Sequence, residues 1–273
     1  GAAAVRGPDI VTEAEKLPPG AHQQYLAAVR RTIDRIAGEQ TETIATAARL
    51  CADSILRDGL VHLFGSGHSR MAVEEMYPRY GSYPGFHPMV EQSLSNHHQV
   101  VGNNGQRQAM FIENAEGLGR VMLDNFQLDP ARDVMIVISA GGTNAVPVEV
   151  AIEARRLGLT VIAITSVEHS RLSRPRHSSG RRLFEVANIV IDTCTPPGDA
   201  AVQVPGLDTP VAPSTSVANM VIINLLKADV AELLAAAGRP PVVLTSAVLV
   251  GEERSRDLFE RSYREYRERI RRL

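Results

Sequence analysis

The sequence has few of the residues and patterns by which several protein classes are identified. It contains no tryptophan and two cysteines, and its formal charge is -2. Cys51 and Cys194 lie far apart and form no CxxC pair, which excludes a disulfide scaffold and a cysteine-type zinc site. A near-neutral chain has no basic field to attract nucleic acid. No run of about 18 apolar residues occurs, which excludes a predicted membrane-spanning helix.

The remaining composition is that of an ordinary globular protein, with 44% hydrophobic and 22% charged residues. The N-terminal region has no sustained apolar segment of the kind found in secretion signals. We therefore expect a cytoplasmic protein with neither nucleic-acid nor membrane partners. The basic C-terminal helix carries mixed charges and is typical of a solvated face.

Apolar and glycine patterns predict a doubly wound α/β fold. Residues 133–142, 144–158 and 159–166 are typical of strand, helix and strand, which form the βαβ unit of a parallel sheet. Other predicted elements are a helix over 21–57 with a bend near Gly38, strands over 60–65 and 186–194, and an apolar helix over 214–238. The prediction is a parallel five-stranded sheet in residues 40–240, preceded by a helical extension (1–39) and followed by a C-terminal segment with a helix (241–273).

Two predicted strands end in small, hydroxyl-bearing turns, Gly65–Ser69 and Ser139–Asn144. Ligands of open parallel sheets bind at the carboxyl ends of strands, and a following helix N-terminus favours an anion. A dinucleotide fingerprint is excluded, because Arg70 stands where its third glycine is needed. No GxxxxGK[ST] motif occurs. These turns therefore predict a phosphate site built from neutral donors.

Three segments in order, FGSGHS, SAGGTNAVPVEVAIEARRLGLTVIAITS and VAPSTSVANM, resemble the SIS domain, the sugar-isomerase domain of phosphosugar enzymes and regulators. The resemblance covers roughly residues 40 to 240. Further segments, among them EEMYPRYGSYPGFHPM, TSVEHS and RPRHSSGRRL, resemble an uncharacterised bacterial subfamily of phosphosugar isomerases. The chain is also similar, more distantly, to the N-acetylmuramic acid 6-phosphate etherases.

The resemblance implies a sugar-phosphate site made from the two turns. Gly141 stands where the family usually has a second serine, and Asn144 stands at the usual threonine, so backbone amides must contribute more to binding. Ser214, Thr215 and Ser216 are also predicted to cap the long helix, and the family's sugar-contacting segment maps there. The predicted substrate-binding residues are Ser66, Gly67, Ser69, Ser139, Gly141, Gly142, Thr143, Asn144, His177, Ser214 and Ser216.

The implied chemistry needs a base for the C2 proton of an open-chain sugar, and carboxylates or histidines are suitable. Glu113 and Glu116 are three residues apart and share one face if helical, and the etherase resemblance favours one of them as the base. The alternative is that both are solvated, in which case Glu91 is the fallback. His68 and the His97–His98 pair are candidates for ring opening or proton transfer. No histidine pair has zinc-ligand spacing, and we expect neither metal nor cofactor.

The expected function is that of a SIS-type enzyme acting on N-acetylglucosamine 6-phosphate or glucosamine 6-phosphate. Elimination is slightly favoured over aldose–ketose isomerisation, because an N-acetyl group on C2 makes ketose formation awkward. A non-catalytic phosphosugar sensor is the alternative from another class. Self-association as a dimer or higher oligomer is expected from the apolar long helix and from the resemblance.

Overall fold

A five-stranded parallel sheet forms the centre of the molecule in a computed structural model that describes residues 20–95 and 105–273. The spatial order of its strands is β2-β1-β3-β4-β5, and each neighbouring pair is parallel. The strands are β1 Val61–Gly65, β2 Phe86–Met89, β3 Val134–Ile138, β4 Thr160–Thr165 and β5 Ile189–Asp192. The predicted doubly wound fold is confirmed.

Helices precede, connect and follow these strands. In the described part of the chain they are α1 Ala21–Glu39, α2 Thr41–Leu56, α3 Arg70–Met76, α4 Gln92–Ser95, α5 Gly105–Ile112, α6 Leu118–Leu123, α7 Ala145–Arg156, α8 Val167–Leu172, α9 Leu183–Val186, α10 Thr215–Ala236, α11 Ala247–Val250 and α12 Glu252–Ile270. None of the described helices is long and apolar enough to cross a bilayer.

The sheet is buried on both faces, as a parallel sheet requires. On one face, Leu63 and Ile136 pack with α2, α3 and α10. On the other face, Phe64 and Val137 pack in a second cluster that includes α7. All four side chains are fully buried. This two-sided burial explains why the strands are continuous apolar runs rather than alternating ones.

The structure differs from the sequence prediction at several boundaries. The break between the first two helices falls at Gln40 rather than at Gly38, which remains inside α1. Two short strands, β6 Ala200–Val202 and β7 Val211–Pro213, form an antiparallel pair that the sequence pattern does not predict. Strands of three residues are too short to show a recognisable pattern, since alternation needs at least about four residues.

The start of α10 corrects a second expectation. Ser214 occupies the N-cap position, but its side chain makes no capping hydrogen bond. Instead Oδ1 of Asp199 accepts the backbone N–H groups of Ser214 at 3.0 Å and Thr215 at 2.7 Å, together with the Thr215 hydroxyl. The prediction that the serine side chain caps this helix is therefore wrong. A carboxylate from a neighbouring loop satisfies the exposed amides.

Candidate active site

A cavity of about 200 Å³ opens at the carboxyl ends of β1 and β3. We call residues 66–69 the serine turn and residues 139–144 the glycine loop. These two segments supply most of the cavity wall, and α4 and α5 complete it. The lining residues are Ser66, Gly67, His68, Ser69, Leu94, Gln106, Ala109, Met110, Glu113, Ser139, Ala140, Gly141 and Asn144.

Two larger cavities, of about 680 and 510 Å³, lie elsewhere on the described chain. Arg132, Arg272 and three other arginines line the first, which faces the amino ends of the strands. Its arginines are paired with carboxylates, as in the contacts of Arg239 with Asp58 and of Arg269 with Glu265. Of these three cavities on the described part of the chain, the smallest combines the carboxyl ends of parallel strands with a half-buried acid and several hydroxyl groups, so it is the candidate site.

Glu113 is the acid of this cavity and lies directly after α5. Its Oε1 accepts a hydrogen bond from Oγ of Ser66, and its Oε2 accepts one from Nδ2 of Asn144 at 2.6 Å. Burial raises the pKa of Glu113 above its ordinary value, while these two hydrogen bonds and the charge of Arg176 oppose that shift. One residue from each loop thus fixes a carboxylate whose pKa is displaced towards neutrality.

The serine turn has its shape because of two glycines. A Cβ atom on Gly65 would lie 2.7 Å from the carbonyl oxygen of Ser69, so only glycine fits where the chain folds back. Gly67 has a φ of 55°, in the left-handed region that glycine adopts at least cost. This turn buries Ser66 and Ser69 and leaves His68 exposed, and all three residues line the cavity.

The glycine loop leads from β3 into α7. Oγ of Ser139 accepts the N–H of Gly142 at 3.2 Å, which closes the loop on itself. A Cβ on Gly142 would lie 2.7 Å from Oγ1 of Thr165, so this glycine is required by packing behind the loop. Asn144 takes the N-cap position of α7 without capping it, and its side-chain amide binds Glu113 instead.

The structure brings together eight of the residues predicted for the site. Glu113 and seven residues of the two loops line one cavity; the seven are Ser66, Gly67, His68, Ser69, Ser139, Gly141 and Asn144. Gly142 and Thr143 belong to the same loop but not to the cavity wall. His97 and His98 lie outside the described residues, so the role suggested for them stays a prediction.

Other predicted residues occupy different places. Glu116 is exposed and binds Ser178, and His177 lies beside it, with Nε2 at 3.9 Å from a carboxylate oxygen. α5 ends at Ile112, so Glu113 and Glu116 do not share a helical face. Glu91 accepts the N–H of Leu94 at 2.9 Å at the start of α4. Ser214 and Ser216 begin α10, which contacts the serine turn.

Sequence reasoning missed two residues beside the glycine loop. Nδ1 of His169 accepts the N–H of Gly198 at 2.9 Å, and its Nε2 would lie 3.4 Å from a Cβ on Gly141. Arg176 donates its backbone N–H to the carbonyl of Thr143 at 3.0 Å. Both residues lie in segments that carry the family resemblance, but nothing in their spacing connects them to a loop that ends at least 25 residues earlier.

Comparisons with known proteins identify the family of the chain. Residues 24–166 match the family model described as the SIS domain. A UPF0309 protein of Thermoanaerobacter pseudethanolicus is 33% identical over 92% of this chain and 99% of its own length. A UPF0309 protein of Geobacillus kaustophilus is 32% identical over 90% of this chain and 94% of its own.

Solved structures resemble the chain less closely. A phosphoheptose isomerase from Francisella tularensis aligns with a TM-score of 0.47 and 16% identity, over 77% of this chain and 95% of that one. The chain belongs to the SIS domain family, and within it to the UPF0309 proteins.

Proposed function

We propose that the chain is a phosphosugar enzyme whose base is Glu113. The single observation that carries this proposal is the position of the Glu113 carboxylate, held by Ser66 and Asn144 in a cavity between two glycine-containing loops. Membership of the SIS domain family supports a phosphosugar ligand. Several similar structures, the phosphoheptose isomerase among them, are described as sugar-phosphate isomerases.

The phosphate is proposed to bind at the glycine loop and the serine turn. The N-terminus of α7, a helix of 12 residues, begins at the end of the glycine loop and favours an anion. Hydroxyl groups of Ser69 and Ser139 add donors without adding charge. These hydroxyl groups and the helix N-terminus support a phosphate site at the two loops.

The chemical step is proposed to begin at C2 of the open-chain sugar. Glu113 takes the C2 proton, and its raised pKa brings it closer to the working pH at which a general base is most effective. Ser66 and Asn144 keep its two oxygens in place, which matters because misplacing a reacting group by about 1 Å can cost 100-fold in rate. The exposed imidazole of His68 borders the same cavity and is proposed to move protons during ring opening.

The fate of the resulting enolate defines the reaction. In elimination, the C3–O bond breaks, the oxygen leaves as water after taking up a proton, and a C2–C3 double bond forms. In isomerisation, which requires a hydroxyl group on C2, C1 and its oxygen each take up a proton, the C2 hydroxyl loses its proton to become a carbonyl, and a ketose results. We propose elimination from N-acetylglucosamine 6-phosphate, because its N-acetyl group disfavours a ketose at C2.

Incubation with N-acetylglucosamine 6-phosphate in heavy water tests this proposal. Dehydration is expected, with a product lighter than the substrate by one water. Retention of the substrate mass plus one deuterium would instead show C2 deprotonation and reprotonation without loss of water, and would contradict the proposed elimination. Tight binding without deuterium uptake or turnover would contradict an enzyme and identify a sensor. Glu42→Gln, at an exposed acid in the first turn of α2, is the matched control for Glu113→Gln.

A further inference from the structure

Glu116 is bound in a way that does not suit a base. Its Oε1 accepts the backbone N–H of Ser178 at 2.6 Å, and its Oε2 accepts the Ser178 hydroxyl at 2.6 Å. The Ser178 hydroxyl bond lowers the pKa of Glu116, and the nearby charge of His177 acts in the same direction. A carboxylate with both oxygens engaged and a lowered pKa is a weak proton acceptor. It is well suited to hold a neighbouring segment.

The segment that Glu116 holds also lies against the glycine loop. We call residues 173–183 the clasped segment. The N–H of Arg176 donates to the carbonyl of Thr143 at 3.0 Å, and the N–H of Leu183 donates to that of Gly142 at 2.8 Å. Between these contacts a turn is closed by the N–H of Gly180 and the carbonyl of His177 at 2.9 Å. Glu116 therefore binds the middle of a segment whose two flanks are bonded to the glycine loop.

Among the described residues, the cavity lining carries a carboxylate, that of Glu113, and no lysine or arginine. A phosphate monoester brings a further charge of about −1.5 to −2 near neutral pH, so it would be repelled by Glu113 without a compensating cation. The nearby Arg70 already binds the carbonyl of Gly67 and lies 3.8 Å from Glu74.

Arg176 is placed to provide that cation. Its backbone is bonded to Thr143, the neighbour of the Asn144 that holds Glu113. Its side chain is exposed, and its charge is close enough to lower the pKa of Glu113. Within the part of the chain that the structure describes, its guanidinium makes no hydrogen bond or ion pair. A guanidinium also suits a phosphate, which it can bind through two parallel hydrogen bonds.

We propose that Glu116 is a positioning residue and that Arg176 is the cation of the substrate site. The contact between Glu116 and Ser178 holds the clasped segment against the glycine loop, and the Arg176 guanidinium binds the phosphate of a sugar phosphate beside Glu113. This assignment rests on the proposed function and adds to it the residue that selects phosphorylated over unphosphorylated sugars.

Hydrogen exchange on the unliganded protein tests the clasp alone. In Glu116→Ala the Ser178 amide loses its acceptor, so exchange in the clasped segment is expected to quicken by about tenfold or more, the effect of losing about 1.5–3 kcal/mol of a charged hydrogen bond. In Glu116→Gln the side-chain oxygen still accepts this N–H, and the amide can donate to the Ser178 hydroxyl. Exchange close to wild type is expected there. Unchanged exchange in Glu116→Ala would overturn the clasp.

Turnover separates positioning from proton transfer. With N-acetylglucosamine 6-phosphate, Glu116→Ala is expected to raise KM by about tenfold, and Glu116→Gln is expected to restore it. A base cannot be replaced by an amide, which neither takes up nor releases a proton at working pH. If Glu116→Gln loses turnover as fully as Glu116→Ala does, Glu116 transfers protons and its assignment as a positioning residue is overturned.

Ligand affinity tests Arg176. Arg176→Gln is expected to weaken binding of N-acetylglucosamine 6-phosphate by about 10- to 100-fold, the cost of one charged hydrogen-bonding group. Binding of unphosphorylated N-acetylglucosamine should not change. Arg174→Gln removes an exposed arginine of the same segment and is the matched control. Equal affinities in Arg176→Gln and Arg174→Gln would overturn the role of Arg176.

These outcomes distinguish the inference from the proposed function. Full turnover in Glu113→Gln would contradict Glu113 as the base and leave the hydrogen-exchange result intact. A wild-type protein that binds no sugar phosphate would overturn both the proposed function and the role of Arg176. The exchange experiment would still decide whether Glu116 holds the clasped segment.

Discussion

A buried histidine on β2 makes the stability of this protein sensitive to acid. His87 lies next to the buried ring of His62, with 2.8 Å between their Nδ1 atoms, and its ring packs edge-on against Phe126. His62 in turn contacts Asp133, which is bound by Arg272. Burial lowers the pKa of His87 to about 3, and the charge of His62 acts in the same direction. The folded protein therefore keeps this ring neutral at all but strongly acidic pH.

The sign of the effect follows from the two states of His87. Its ordinary pKa of 6.5 applies in the unfolded chain, and about 3 applies in the folded one. Between these values the unfolded chain binds a proton that the folded chain does not, so stability falls as the pH falls. Well inside this range, each unit by which the pH falls lowers the free energy of unfolding by about 1.4 kcal/mol. At pH 5 the free energy of unfolding should therefore be about 2 kcal/mol smaller on account of His87 than at neutral pH.

Urea unfolding at a series of pH values measures this contribution. In His87→Asn the amide can replace Nδ1 as the partner of His62 but does not titrate. Carboxylates and the other histidines are present in both proteins, so the difference between the two curves measures the effect of His87 together with its contact to His62. Between pH 7 and pH 5, the free energy of unfolding should fall by about 2 kcal/mol less in the variant than in wild type. Parallel curves for the two proteins would refute the reasoning.

Two further predictions concern the framework of the site. Gly142→Ala should lower the free energy of unfolding by about 1–3 kcal/mol in thermal or urea melts, because its φ is 60° and the new Cβ would lie 2.7 Å from Oγ1 of Thr165. Gly141→Ala is the control, since its new Cβ would have its nearest contact at 3.4 Å, and it should remain close to wild type. Equal losses in the two variants would contradict this account. Asp199→Ala should cost about 1–2 kcal/mol in urea unfolding through loss of the α10 cap, whereas Ser214→Ala should cost little, and the reverse order would show that the serine is the cap.

The framework of the sheet could be predicted from sequence because its signals are local. β1, β3 and β4 are short apolar runs that end at glycine or hydroxyl residues, and the βαβ order fixes their parallel direction. The two turns could be predicted as binding loops because parallel strands bring their carboxyl ends to one edge of the sheet, wherever the strands lie in the sequence.

Choosing between Glu113 and Glu116 needed the structure. A spacing of three residues places two side chains together only while the helix continues, and α5 ends at Ile112. Beyond that point the chain turns, so Glu113 meets Ser66 while Glu116 meets Ser178. Both partners lie more than 45 residues away in sequence. The composition of the segment carries no information about such contacts.

The capping of α10 was mispredicted for a similar reason. Ser214, Thr215 and Ser216 have the residue types that favour an N-cap, but a nearby loop offers Asp199, whose charged carboxylate is a stronger acceptor. The N-cap propensity of a residue describes only how well its own side chain binds the free amides at the start of the helix. A partner supplied by the tertiary fold can replace it without any change in the helix boundary.

Exchange at C2 tests the central claim most directly. Wild-type protein and Glu113→Gln are incubated with N-acetylglucosamine 6-phosphate in heavy water, and proton NMR follows the loss of the C2 proton signal together with the formation of product. Wild type should exchange or eliminate the C2 proton, and Glu113→Gln should slow this by at least about 100-fold while the Glu42→Gln control does not. C2 exchange at the wild-type rate in Glu113→Gln would contradict the assignment of Glu113 as the base.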